Sequence, residues 1–130
     1  MPARFSIKIR RIERPYEEDF NAHISWLCNS LGLGSKNACY AHRILTHILK
    51  AERGITSTEL SKRLNKSRGA VIHQLNKLIE CGLIVKQGRF YKLRASTMER
   101  TLEEIYEDIE RMFAKLMKIA ERIDKELENI

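Results

Sequence analysis

Residues Thr56 to Leu93 run TSTELSKRLNKSRGAVIHQLNKLIECGLIVKQGRFYKL. The stretch divides into two short helices, a sharp turn between them, and a small hairpin. Thr56 and Glu59 stand at capping-box spacing, so side chains can satisfy two orphan N–H groups where the first helix starts. Asn65-Lys66 breaks that helix. Ser67 caps a second one, whose apolar residues Val71, Leu75, Leu78 and Ile79 follow the i, i+4, i+7, i+8 pattern of one buried stripe. Gly82 ends it, as a glycine free to take the left-handed conformation. Leu83 to Lys86 and Arg89 to Leu93 are two β-rich runs around Gln87-Gly88. A two-residue loop there sets Val85 opposite Phe90 and Ile84 opposite Tyr91.

Stepping round the second helix from Val71 at about 100° per residue puts Gly69, His73, Asn76 and Glu80 on the far face. Lys77 and Ile72 flank that face, and Arg68 sits in the first turn, from which a long side chain reaches forward. Arg, Asn and His are the donors that read base edges: Arg on guanine, Asn on adenine, His on either. Gly69 costs about 1 kcal/mol inside a helix, and in exchange lets a phosphate backbone come close. The bland reading, that any exposed helix is polar, does not account for the cap and hairpin signals beside it.

The run Ser67-x-x-x-Val71-x-His73-x-Leu75-x-x-Leu78-x-x-x-Gly82-Leu83-Ile84 resembles the recognition helix and first wing strand of winged helix-turn-helix transcription regulators. The MarR-like and ArsR-like groups are the nearest in style. The resemblance covers about a third of the chain, with a weaker extension over Ser35 to Glu52. It implies a dimer that sets the second helix in the major groove and the wing along the backbone or minor groove. The DNA-binding set it points to is Ser67, Arg68, Gly69, His73, Asn76 and Lys77 on the helix, with Lys86 and Arg89 on the wing.

The charge balance agrees. The chain of 130 residues carries a formal +7, distributed as +11 over Met1–Thr97 and −4 over Met98–Ile130. A basic body with an acidic tail suits a polyanion partner for the body and another role for the tail. No run of 18 apolar residues is present, so no transmembrane helix is expected. MPARFSIKIR lacks the apolar core of a secretory signal. Cys28, Cys39 and Cys81 are an odd set in such a chain and read as free thiols in a cytoplasmic protein.

Ahead of the motif, Arg4 to Ile12 alternates, with Phe5, Ile7 and Ile9 on one side and Ser6, Lys8 and Arg10 on the other, which predicts a half-buried N-terminal strand. A basic arm on DNA phosphate is the compatible alternative. Pro15 precedes a helix from about Tyr16 to Leu31, with Glu17, Glu18 and Asp19 at its positive end and Phe20, Ile24, Leu27 and Leu31 as its buried stripe. Ser35 caps the next helix, to about Glu52, with Tyr40, Ile44, Leu45, Ile48 and Leu49 facing the core.

Cys39 and His42, three apart on one helix, can share a ligand, but a closed zinc site needs about four ligands and no spaced pair-of-pairs appears. The cysteine cluster or terminal-helix ligands usual in metal-sensing ArsR-like proteins have no counterpart here, so no metal and no cofactor is expected. No nucleophile beside a base, paired carboxylates in an apolar pocket or Gly-rich phosphate loop is evident, so the chain does not read as an enzyme.

Ser96 and Glu99 form a second capping box, and from there one helix runs to the end. Met98, Leu102, Ile105, Ile109, Met112, Leu116, Ile119 and Ile123 recur at alternating steps of four and three, a heptad seam. A further row, Tyr106, Phe113, Ala120 and Leu127, is expected to pack on the chain's own first helix or on a partner's. A helix of about 33 residues extends about 50 Å, longer than the body it would have to cover. Leu102, Ile105, Ile109, Met112, Leu116, Ile119 and Ile123 are therefore expected at a dimer interface, parallel or antiparallel.

The fold expected is α+β, mainly α: a winged helix-turn-helix body over 1–95, with a two-stranded wing and an N-terminal strand, and a coiled-coil-like dimerisation helix over 96–130. Small archaeal regulators with a terminal helix are similar in layout. The function expected is sequence-specific binding of double-stranded DNA by a homodimer that regulates transcription. Two rivals stand beside it: an interaction module docking on transcription or chromatin machinery with weak DNA contact, and low-specificity chromosomal architecture.

Overall fold

The structure, a computed structural model, describes residues 5–14, 16, 19–33 and 38–130, with backbone alone at 38 and 39. Along the described chain come α1 (Phe20–Ser30), α2 (Ala38–Lys50), β1 (Ile55–Thr56), α3 (Ser57–Leu64), α4 (Arg68–Glu80), β2 (Ile84–Gln87), β3 (Phe90–Leu93) and α5 (Met98–Glu128). The architecture is mainly helical, with one small antiparallel sheet of order β1-β3-β2 and a long C-terminal helix.

Local signals set the motif helices. Thr56 Oγ1 accepts from the Glu59 N–H at 3.2 Å and caps α3. Only half of a capping box forms, because the Glu59 carboxylate turns to Arg63 at 2.6 Å instead. Asn65 closes α3 in the left-handed conformation, φ 53°, which a short polar side chain tolerates. Ser67 Oγ then accepts from the Ala70 N–H at 3.1 Å and starts α4. Gly82, at φ +86°, ends α4. A Cβ there would lie 2.9 Å from the Phe5 ring and 3.3 Å from Ile105, so the N-terminal segment, α4 and α5 converge on a site only glycine fits.

Val71, Leu75 and Leu78 of α4 meet Ile44, Leu45 and Ile48 of α2, Leu60 and Leu64 of α3, and Ile24 of α1 in one core. Burying a side chain of that size stabilises the fold by roughly 1.5–3 kcal/mol. Cys28 and Cys81 belong to this core, and burial pushes their thiols up to about 12 and about 11.

Several expectations are corrected. Residues 5–14 form no strand. They are an extended segment held by Ser6 N–H to Glu80 O (2.9 Å) and Arg10 N–H to Ser30 O (2.7 Å), with Phe5 and Ile7 packed on the core and Ile9 exposed. The third strand is Ile55–Thr56, paired with Tyr91 and Phe90. α1 starts four residues later than expected, where Asp19 caps the Ala22 N–H at 2.7 Å, which leaves Tyr16 and Phe20 exposed. Arg4, Pro15, Glu17, Glu18 and the expected cap Ser35 lie outside the described residues.

The hairpin turns at Gly88-Arg89 rather than Gln87-Gly88, pairing Gln87 with Phe90, Lys86 with Tyr91, Val85 with Lys92 and Ile84 with Leu93. Gly88 takes φ +62° at the first loop position while Arg89 does not go positive, the φ signs of a type II′ turn, which wants glycine first.

The cap of α5 is Thr97, not Ser96. Its Oγ1 accepts from the Arg100 N–H at 3.0 Å. The fully buried Thr101 hydroxyl sets this start, accepting from the Ala95 N–H at 3.1 Å and donating to Thr97 O at 2.8 Å. The first turns of α5 press Thr101, Ile105 and Asp108 onto the body. Arg94, just past β3, bonds Asp108 at 2.7 Å and Glu104 at 3.1 Å, and Arg111 closes on the other Asp108 oxygen. From Glu110 onward every residue is exposed. Tyr106, Phe113 and Leu127 are exposed too, so that row does not pack on the chain's own first helix.

Removing one partner of a buried ion pair leaves a charge stranded, at a cost of about 3–5 kcal/mol. Arg94 keeps Glu104 when Asp108 is lost, so Asp108→Ala should lower stability by roughly 3 kcal/mol in urea denaturation. A loss below about 1 kcal/mol, the scale of a surface pair, would contradict this view of the junction. The raised pKa of Cys28 and Cys81 keeps both protonated at neutral pH, and the thiolate is the nucleophile. Neither should react with a thiol reagent until the chain unfolds; modification of either at the native rate of a free thiol would refute it.

Candidate nucleic-acid interface

With Val71, Leu75 and Leu78 buried, the other side of α4 has nowhere to go but solvent. Gly69, His73, Asn76 and Lys77 are exposed, as the helical period requires. A Cβ built on Gly69 meets nothing within 4 Å, so the first turn of α4 presents open backbone to an incoming surface. Ser67 is exposed but its hydroxyl is committed to the cap. Arg68 is exposed as well, and its Nε donates to Ser57 Oγ at 3.2 Å. Ser57 is buried at the start of α3, so it holds the guanidinium from behind by one nitrogen. Nothing in the spacing of Ser57 and Arg68, eleven residues apart, marks that contact in sequence.

β2 leaves the end of α4 and carries Lys86, and Arg89 stands in the wing turn; both are exposed. Each lies against an aromatic ring, Lys86 Nζ 5.6 Å from the Tyr91 centroid and the Arg89 guanidinium 5.6 Å from that of Phe90. Exposed cation–π contacts of this kind contribute about 0.5–1 kcal/mol, enough to bias where the two cations stand without removing them from water.

A second cationic patch went unremarked in sequence. Arg43, His47 and Lys50 recur on α2 at steps of four and three, and Arg63 of α3 joins them. Partial burial holds the His47 pKa below its usual value, and the fields of Arg63, Lys50 and Arg43 lower it further. The His42 pKa is lowered by burial and by Arg43, and its Nε2 has no hydrogen-bond partner among the described residues. The Cys39 side chain, its suggested companion, lies outside the described residues. Among the described residues no three of His, Cys, Asp and Glu gather into a metal-holding group, and no helix is long and apolar enough to cross a membrane.

The residues expected at a dimer interface fall into two groups. Ile105 is buried in its own chain, and Leu102 and Ile109 are half-buried against the same core. Met112, Leu116, Ile119 and Ile123 stand exposed on the free part of α5.

Residues 40–85, from within α2 through α3 and α4 into β2, match the family model of winged helix-turn-helix DNA-binding domains. No curated protein and no solved structure matches the chain. The matched segment and the strands that complete it have the winged helix-turn-helix layout, and over those residues the chain is similar to DNA-binding domains of that kind.

Proposed function

We propose that this chain is a transcription regulator that binds double-stranded DNA sequence-specifically as a homodimer, and acts by binding rather than catalysis. The body to about residue 95 engages DNA, and residues 96–130 join two copies. The observation that carries the reading is the outer face of α4. It combines an unobstructed glycine at the first turn with exposed Arg68, His73, Asn76 and Lys77, on a body of net charge +11. That is a surface built to approach a polyanion closely and offer donors to base edges in the major groove. Lys86 and Arg89 then fall to the backbone or minor groove, since a wing tip carrying two cations and no acceptor-reading partner favours phosphate.

The free part of α5 supports two copies. Phe113, Leu116, Met117, Ile119, Ile123 and Leu127 are each more than half exposed along a single helix. Soluble monomers rarely leave so long an apolar stripe in water. A two-fold pair covers both stripes at once and sets two copies of α4 on one body, so the second half-site binds at high effective concentration.

Arg68→Ala or Asn76→Ala should cost roughly 1–3 kcal/mol and relax preference at one position per half-site, measured by competition against random duplex. Equal loss on preferred and random DNA would sink the base-reading assignment. Arg89→Ala should weaken all sequences alike and flatten the salt dependence by about one unit per lost phosphate contact; an unchanged slope counts against the wing assignment. Leu116→Glu should dissociate the dimer and abolish tight operator binding, and light scattering that gives a monomer mass for the unaltered chain at micromolar concentration would reject the assembly.

A further inference from the structure

The body covers one side of the first turns of α5, through Thr101, Ile105 and Asp108. The opposite side is a shallow apolar groove, Leu102 and Tyr106, rimmed by the carboxylates of Glu99, Glu103, Glu107 and Glu110. We propose that this groove receives the segment 111–122 of a second copy, so that the two α5 helices run antiparallel. The proposal rests on the homodimer reading above and gives it a direction.

Charge is the first argument. Residues 98–110 hold six acids and one base, whereas residues 111–122 hold four bases and one acid. A parallel pair lays acid on acid and base on base. An antiparallel pair lays each acidic segment on the other copy's basic one. Packed helices run about 8–10 Å apart, comparable with the Debye length of about 8 Å at physiological salt, so these fields are only partly screened. The chain uses up only part of these charges itself: Arg100 pairs with Glu103, Glu104 and Glu107, and Asp108 pairs with Arg94 and Arg111. Lys115, Lys118 and Arg122 form no ion pair with any described residue, nor do Glu99 and Glu110.

Register is the second, independent argument. A two-fold axis level with the Glu110–Arg111 peptide brings Leu102 level with Ile119 and Ile109 level with Met112, which matches one apolar row to the other as an antiparallel seam needs. The same placement puts Glu103 level with Lys118 and Glu99 level with Arg122. One register therefore satisfies both the apolar spacing and the charge order.

The test is a distance between two copies of one spin label. Lys125 is exposed, and Cys28 and Cys81 are buried, so a Lys125→Cys chain in a Cys39→Ser background carries a single reactive label. In the proposed register the two labels stand about 43 Å apart along the axis, from 29 residues at about 1.5 Å rise. A parallel pair holds them about 10 Å apart, and any separation under about 20 Å overturns the proposal. An intermediate separation moves the two-fold off Glu110–Arg111 and overturns the register. The dimer should also loosen several-fold as salt rises; tightening with salt marks like-on-like packing and overturns the charge argument. A monomer mass with no coupling between labels removes the homodimer reading itself, and is distinct from every outcome that reports a dimer of the wrong direction.

Discussion

Everything the molecule can present follows from the burial of one stripe of α4. Val71, Leu75 and Leu78 are fully buried, and the helical period then leaves Gly69, His73, Asn76 and Lys77 no direction but outward. The caps at Thr56 and Ser67 fix where α3 and α4 begin, and the left-handed Asn65 fixes the corner between them. Gly82 closes α4 sharply enough for β2 to follow at once, which keeps the wing beside the helix it serves. The surface proposed to face DNA is thus the complement of a hydrophobic core, and Ser57 adds to it by holding Arg68 from the buried side.

The second constraint is the junction between body and terminal helix. Arg94 leaves the sheet and meets Asp108 and Glu104, while Thr101 ties the first turn of α5 back to Ala95 and Thr97. Thr101 and Asp108 are buried and satisfied, and Arg94 and Glu104 are half-buried beside them, so these groups fix the direction in which α5 departs as well as its attachment. Beyond Glu110 every residue of the helix is exposed, and it continues to Glu128, about 28 Å at 1.5 Å per residue. In the proposed homodimer, the spacing of two α4 helices would then depend on the Arg94–Asp108 contact and on how two α5 helices meet.

Much of this was legible in the chain. Thr56 and Ser67 announce their helices because a hydroxyl ahead of an apolar stripe is a local signal, and the α4 stripe follows from its period alone. The wing survived an error in its turn. Moving the loop from Gln87-Gly88 to Gly88-Arg89 shifts each partner by two residues, and a shift of two keeps every side chain on its face, so Ile84 and Tyr91 are buried either way. What was not legible lacked a local signature. β1 is only two residues long and carries no periodicity. The alternation of Phe5, Ile7 and Ile9 describes any extended chain with one side on a core, so it could not say whether a strand lay alongside. The heptad seam gave the length of α5 but not that its own body would take Ile105, nor that Thr101 and Asp108 would be the polar groups buried there.

The central claim is that α4 reads base pairs from two copies related by a two-fold axis. The most direct measurement is selection of preferred sequences from a pool of random duplex DNA by the full chain. The account predicts enrichment of an inverted repeat, two equal half-sites at fixed spacing, because each copy of α4 meets its own half-site with the same residues. Enrichment of no sequence above the starting pool, with binding that depends on salt alone, would contradict it.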